Sequence, residues 1–134
     1  MVAIVDFAAG HLAGVIALCT AEGWPSYAED PGRAERALTA PGIVTVVAEA
    51  RGQVAGFATA GSDGEIQAFL ILIAVDKTQR GRGIAKRLIE ASFAKTGAIR
   101  MDLLSTDGAE GFYASFAHHR LPGYRIYPGM KLQE

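Results

Sequence analysis

Arg80-Gly81-Arg82-Gly83-Ile84-Ala85-Lys86-Arg87-Leu88 sets two glycines and four cations after an unbroken apolar run, Ala68 to Val75, and at the start of a helically periodic stretch. Strand, glycine turn, helix is an order that builds an anion cradle. Glycine lets the backbone curl close to a ligand, and the first turn of a helix presents N–H groups with a partial positive charge. The chemistry this points to is the grip of a phosphorylated ligand. A P-loop would need Gly-Lys-Ser or Gly-Lys-Thr, and a dinucleotide fingerprint a third glycine in an early strand-helix-strand unit; neither is present.

The elements that must position this loop can be read from the apolar spacing. Val2 to Phe7 predicts a first strand, and Leu12, Val15, Ile16 and Cys19 a helix that ends at Gly23. Glu22 to Asp30 reads as a surface loop, after which Asp30-Pro31 caps a short helix through Leu38. Ile43 to Ala48, Gln53 to Ala60 and Glu65 to Val75, separated by Arg51-Gly52 and Ser62-Asp63-Gly64, predict three antiparallel strands. The third is so apolar that a central place in the sheet is expected. A helix from Ile84 to a stop at Gly97 then crosses over to a parallel strand, Ile99 to Ser105. Asp107 and Glu110 look like the capping box of a last helix striped by Ala109, Phe112, Tyr113, Phe116 and Ala117. Tyr124 to Tyr127 and Met130 to Leu132 read as a terminal strand or hairpin broken at Pro128-Gly129.

With 134 residues the chain is expected to be one α/β domain, 1–134, in which any cofactor and substrate share a single sheet. A net charge of −1 gives no reason to expect nucleic acid as a partner, and no apolar run approaches the length of a membrane span. Cys19 is the only cysteine, so neither an intramolecular disulfide nor a thiolate-rich metal site can form. With no recognisable leader, the cytoplasm is the expected compartment. His11, His118 and His119 lack the spacing of a metal site or triad and read as structural.

Arg80-Gly81-Arg82-Gly83-Ile84-Ala85, with the Ala74-Val75-Asp76 strand exit and Gly111-Phe112-Tyr113 in the late helix, resembles the GNAT superfamily of N-acetyltransferases. The cofactor motif of that family is Gln or Arg, two residues, Gly, one residue, then Gly or Ala. The resemblance spans essentially the whole chain. It implies a mixed, mostly antiparallel sheet flanked by helices, with two parallel strands splayed to admit acetyl-CoA. Backbone amides from Arg80 through Gly81, Arg82, Gly83, Ile84, Ala85 and Lys86 would take the pyrophosphate. Ala74 and Val75 would line the pantetheine arm, Val75 through its main chain, and the Ile73 N–H would face the thioester carbonyl. Arg82 and Arg87 also read as solvated charges on a helix face.

The resemblance further implies that Tyr113 protonates the departing CoA thiolate; the other reading is a core aromatic. Family members often carry a glutamate four residues before the position of Ile73, but here it is Phe69, and Ile71 is apolar too. Glu22 is a candidate base or cation-attracting group, as is Glu65, and both also read as plain surface residues. A relay through water would equally deprotonate the amine. Trp24 and Tyr27 are candidates for the acceptor pocket wall, or for a hydrophobic plug. Ser105 ends its expected strand beside the pantetheine groove. The implied reaction is direct acetyl transfer to a primary amine, of a small molecule first. A protein lysine or N-terminus, or a noncatalytic acyl-CoA-binding role, are the alternatives. Exposed C-terminal strands make a homodimer an expectation.

Overall fold

The computed structural model describes residues 1–106 and 108–130. It divides into two compact units, Met1–Leu103 and Leu104–Glu134. The first unit holds one five-stranded sheet of order β1 (Val2–Asp6), β2 (Ile43–Ala50), β3 (Gln53–Ser62), β4 (Gln67–Val75) and β5 (Arg100–Asp102). Successive strands pair antiparallel except β4 and β5, which run parallel. The mixed, mostly antiparallel α/β architecture is the one expected.

Helix α1 (Leu12–Glu22) buries Val15, Leu18 and Cys19. It closes at Gly23, in a left-handed conformation at φ 77°, with the Trp24 N–H returning to the Cys19 carbonyl at 3.0 Å. What the spacing marked as loop contains a one-turn helix, α2 (Pro25–Ala28), started by Pro25 at its first position. Helix α3 (Pro31–Leu38) begins as expected, the Asp30 carboxylate accepting from the Arg33 N–H at 3.1 Å. The Leu38 carbonyl accepts from the Thr45 hydroxyl, itself paired with Thr59 at 2.9 Å, which ties the end of α3 to the sheet. Helix α4 (Ile84–Thr96) buries Ile84, Leu88, Ile89 and Ser92, and ends at Gly97. The His11 ring accepts the Ala8 N–H at Nδ1, so its proton sits on Nε2 and is donated to Glu49 at 2.6 Å.

The centre of the sheet is β3 rather than β4. Residues 55–60 of β3 are all buried, and they are small apart from Phe57, which lets helices approach both faces. A Cβ on Gly56 would lie 2.8 Å from the Ala74 carbonyl oxygen and 3.2 Å from Leu88, leaving no room for a side chain. By contrast Phe69 and Ile71 of β4 are exposed. The unbroken apolar run does not mark burial on both faces: Ala68, Leu70 and Ala74 are buried, while Phe69 and Ile71 are exposed although apolar. Thr59 pairs with Leu72 and Ala60 with Leu70, so Ile71 is an extra residue on β4, a bulge in the ladder. Glu65 lies in the preceding turn, where Asp63 accepts the N–H groups of Glu65, Ile66 and Gln67. Those bonds, the Glu65 one first, hold the Asp63 carboxyl below its ordinary range.

Cys19 is fully buried in a cluster with Val15, Leu18, Val47 and Phe57. Burial, and after it the Glu22 carboxylate, push its thiol from 9.0 up to about 11. The unfolded thiol ionises at its ordinary value while the folded one keeps its proton. Stability is therefore whole below about pH 9 and declines as pH rises toward 11, by on the order of 2 kcal/mol. Urea unfolding across that range should show this slope, and Cys19→Ala should flatten it. Iodoacetamide near pH 8 should alkylate Cys19 only once the chain is unfolded.

The second unit carries α5 (Glu110–Tyr113), a single turn opened by Ala109. Asp107, the expected cap, lies outside the described residues. Phe112 stacks edge-on against Tyr113 and Phe116, with centroids 5.0 and 5.6 Å away. Gly123 packs so tightly on Leu104 that a Cβ would overlap it. No strand forms from Leu104 to Met130 among the described residues: Tyr124 to Tyr127 is irregular, and Pro128–Met130 is a turn of 3-10 helix. Prolines 122 and 128 withhold ladder donors and the glycines beside them favour bends, which overrides the β-branched and aromatic content. Residues 131–134 lie outside the described residues. The C-terminal strands expected to offer a dimer edge are thus not present over the described stretch.

Candidate active site

The open edge of β4 is the principal feature. Pairing with β5 covers only Gln67 with Arg100, Ala68 with Met101 and Phe69 with Asp102. From Leu70 to Val75 the strand has no partner on that side among the described residues. The parallel strand predicted over Ile99 to Ser105 is therefore shorter, Arg100–Asp102, and Ser105 lies in irregular, exposed chain beyond it.

The ladder fixes which groups face that edge. The Asp76 N–H donates to the Ala55 carbonyl at 2.8 Å, and Val75 lies opposite Gly56. In an antiparallel pair, bonded and non-bonded positions alternate. Asp76, Ala74 and Leu72 thus direct their backbone groups toward β3, while Val75 and Ile73 direct theirs away from it, into the open edge. The Val75 carbonyl confirms the phase, since it accepts from Arg80 Nε at 3.0 Å.

The chain leaves β4 through an Asx turn. Asp76 accepts from the Thr78 N–H and hydroxyl, both at 2.9 Å, and these bonds hold its carboxyl below the usual range. A turn of 3-10 helix, Lys77–Gln79, follows. Gly81 and Gly83 are both left-handed, at φ 81° and 76°, and a Cβ on either would meet nothing within 4 Å. The first backbone bond of α4 runs from the Arg87 N–H to the Gly83 carbonyl at 3.2 Å. No hydrogen bond among the described residues takes the N–H of Gly81, Gly83, Ile84 or Ala85. A bare backbone loop, open space and the positive end of a thirteen-residue helix fit a diphosphate.

The cations divide. Arg80 is engaged within the protein, to Val75 and through Nη2 to Glu22 Oε1 at 3.1 Å. Arg82 reaches Gln79 at 3.3 Å, and Arg87 is exposed on α4. The structure thus brings Glu22, the candidate base, to the glycine loop, with its carboxylate already accepting from a guanidinium. Trp24 and Tyr27 are half-buried and pack on the core cluster that holds Cys19 and Ala74, with Leu72 on the same cluster. Burial raises the Tyr27 phenol, and burial alone raises that of Tyr113. Tyr113 and Ser105 belong to the second unit. No cluster of potential metal ligands occurs among the described residues. A separate cavity of about 400 Å³, lined by Phe7, Leu38 and Thr45 with the Asp6–Lys95 ion pair at 2.7 Å, lies at the other end of the sheet.

Sequence reasoning missed three features: the extra residue at Ile71, the Asx turn at Asp76 and the Glu22–Arg80 pair. The Asp76-x-Thr78 spacing could have revealed the second. Nothing local announces a pair 58 positions apart.

Comparison with known proteins decides the family. The model of the acetyltransferase (GNAT) domain matches residues 41–116, more than half of the chain. The chain belongs to the GNAT acetyltransferase family. It is an acetyl-CoA-dependent N-acetyltransferase, and acetyl-CoA is its co-substrate. Among solved structures, the aminoglycoside acetyltransferase AAC(6')-Iy, in complex with a bisubstrate analogue, is 25% identical with a TM-score of 0.74, over 95% of this chain and 99% of that one. A ribosomal-protein-alanine N-acetyltransferase from Brucella melitensis biovar Abortus 2308 is 21% identical with a TM-score of 0.76, over 94% and 98%. An acetyltransferase from Trypanosoma brucei is 20% identical with a TM-score of 0.73, over 94% and 100%. These last two share the GNAT fold. No curated protein sequence matches the chain significantly. No described helix is long and apolar enough to cross a membrane.

Proposed function

We propose that this chain, as one N-acetyltransferase domain over 1–134, transfers an acetyl group from acetyl-CoA directly to a primary amine of a small molecule, within a ternary complex. The observation that carries this reading is the open edge of β4, where Ile73 and Val75 direct backbone groups outward beside the Gly81 and Gly83 cradle. Bound acetyl-CoA supplies an activated acetyl thioester. The amides of Gly81 to Lys86 take the diphosphate, and Ala74 and Val75 line the arm. The Ile73 N–H stabilises the oxyanion, a donor of a kind worth about 2.7–4 kcal/mol. Tyr113 supplies the proton to the departing thiolate, a role supported by the Phe112-Tyr113 motif inside the family match. Alignment of the two reactants contributes about 7–11 kcal/mol in well-oriented cases, so no covalent enzyme intermediate is required.

With Phe69 and Ile71 apolar and Glu22 engaged by Arg80, the amine loses its proton through ordered water. Trp24, Tyr27 and the α1–α2 corner form the acceptor side. A small-molecule acceptor is favoured by the likeness to the aminoglycoside enzyme at 25% identity. The buried single thiol suits a reducing cytoplasm. The test is thiol release from saturating acetyl-CoA with aminoglycosides, polyamines, and peptides bearing N-terminal alanine or internal lysine. Acceptor-dependent release with small amines is expected. Release with peptides alone would overturn the small-molecule assignment, and release with none would point to acyl-CoA binding without transfer.

A further inference from the structure

Arg80 stands where a phosphate-binding cation is expected, yet its guanidinium is turned back into the protein. Nε donates to the Val75 carbonyl at 3.0 Å and Nη2 to Glu22 at 3.1 Å. The two acceptors belong to different parts of the proposed site. Val75 is the last residue of β4, on the edge where the pantetheine arm would lie. Glu22 is the last residue of α1, one glycine before Trp24. A carboxylate at a helix C-terminus lies against the negative end of the helix, so a cation is favourable there. Arginine suits this position because its planar fork serves two acceptors at fixed angles, which a lysine ammonium on a flexible stem cannot do.

We propose that Arg80 is a positioning residue: held between the Val75 carbonyl and the Glu22 carboxylate, it ties the α1–α2 corner to the open edge of β4, so that CoA lodged along that edge sets the placement of Trp24 and Tyr27. The inference rests on the acetyl-CoA reading above. It removes Glu22 from proton abstraction and Arg80 from direct phosphate contact, and it makes the acceptor wall responsive to the occupant of the neighbouring groove.

Trp24 is the only tryptophan, so its fluorescence reports on the corner without labelling. CoA binding is followed by calorimetry and by Trp24 emission and acrylamide quenching in the full chain and in R80Q, R80K and E22Q, with thermal unfolding as the check on folding. In the unmodified protein CoA should bind and shift Trp24 emission. In all three variants the shift at saturating CoA should be largely lost, R80K included although its charge is kept. CoA affinity should weaken by only about two- to fivefold, the range of a partly exposed ion pair. E22Q, the mildest change, keeps the test open if the Arg80 variants fold poorly. Tighter CoA binding by E22Q would show that Glu22 restrains a phosphate ligand, and would overturn the proposal. So would a full Trp24 shift in R80K and E22Q, or CoA binding without any Trp24 response in the unmodified protein. No CoA binding by calorimetry would instead sink the acetyl-CoA reading itself.

Discussion

Tyr113→Phe is expected to lower kcat by about 10²–10⁴-fold, the usual worth of a positioned proton donor, with acetyl-CoA affinity unchanged. The substitution removes one hydroxyl and keeps the ring, so the edge-on contact with Phe112 at 5.0 Å survives and any loss belongs to the proton. Burial pushes the phenol above its ordinary 10.0, which keeps it protonated through neutral and mildly alkaline solution. The sign follows: the ionised phenolate has no proton to give, so the part of the rate owed to Tyr113 should be flat below about pH 9 and fall on the alkaline side. That limb should vanish in the phenylalanine variant. A kcat close to that of the unmodified enzyme would take Tyr113 out of the mechanism and leave the thiolate to be protonated by solvent.

Gly83→Val should raise the KM for acetyl-CoA by more than about tenfold, that is by over ~1.4 kcal/mol of binding. Two effects combine. At φ 76° a β-branched residue sits in the left-handed region at a cost of roughly 1–2 kcal/mol, which loosens the turn that aims the first amides of α4. The new side chain also enters the open space where a diphosphate must approach the backbone. Gly64→Ala separates the two, because Gly64 is likewise left-handed, at φ 79°, but lies in the β3–β4 turn at the other end of the sheet. It should lower the melting temperature without moving KM. Equal KM values for Gly83→Val and the unmodified enzyme would show that the cofactor is held elsewhere.

The contrast between the two ends of the chain shows what sequence reasoning reaches. Leu12 to Gly23 and Ile84 to Gly97 are long and each is closed by a left-handed glycine, so local signals and burial agree and the helices form as read. From Tyr124 to Met130 residue content and turn chemistry conflict, and the backbone constraints of proline and glycine prevail. The apolar run of β4 was legible as a strand but not in its place. A continuous hydrophobic stretch does not say which of its residues are covered: Phe69 and Ile71 are as apolar as Leu70, and only the packing of the sheet leaves them exposed.

The glycine turn between β4 and α4 was legible from residues alone because its information is local: glycines permitting positive φ, a helix start immediately after, and a strand immediately before. It took the fold to show that from Leu70 to Val75 the outer edge of β4 has no partner among the described residues, that Ile73 and Val75 face it, and that Arg80 pairs with Glu22 and Val75. Those facts depend on which strands run out of partners and which side chains meet across 58 positions of chain. Contacts of that kind are set by packing of the whole sheet, and residue spacing carries no record of them.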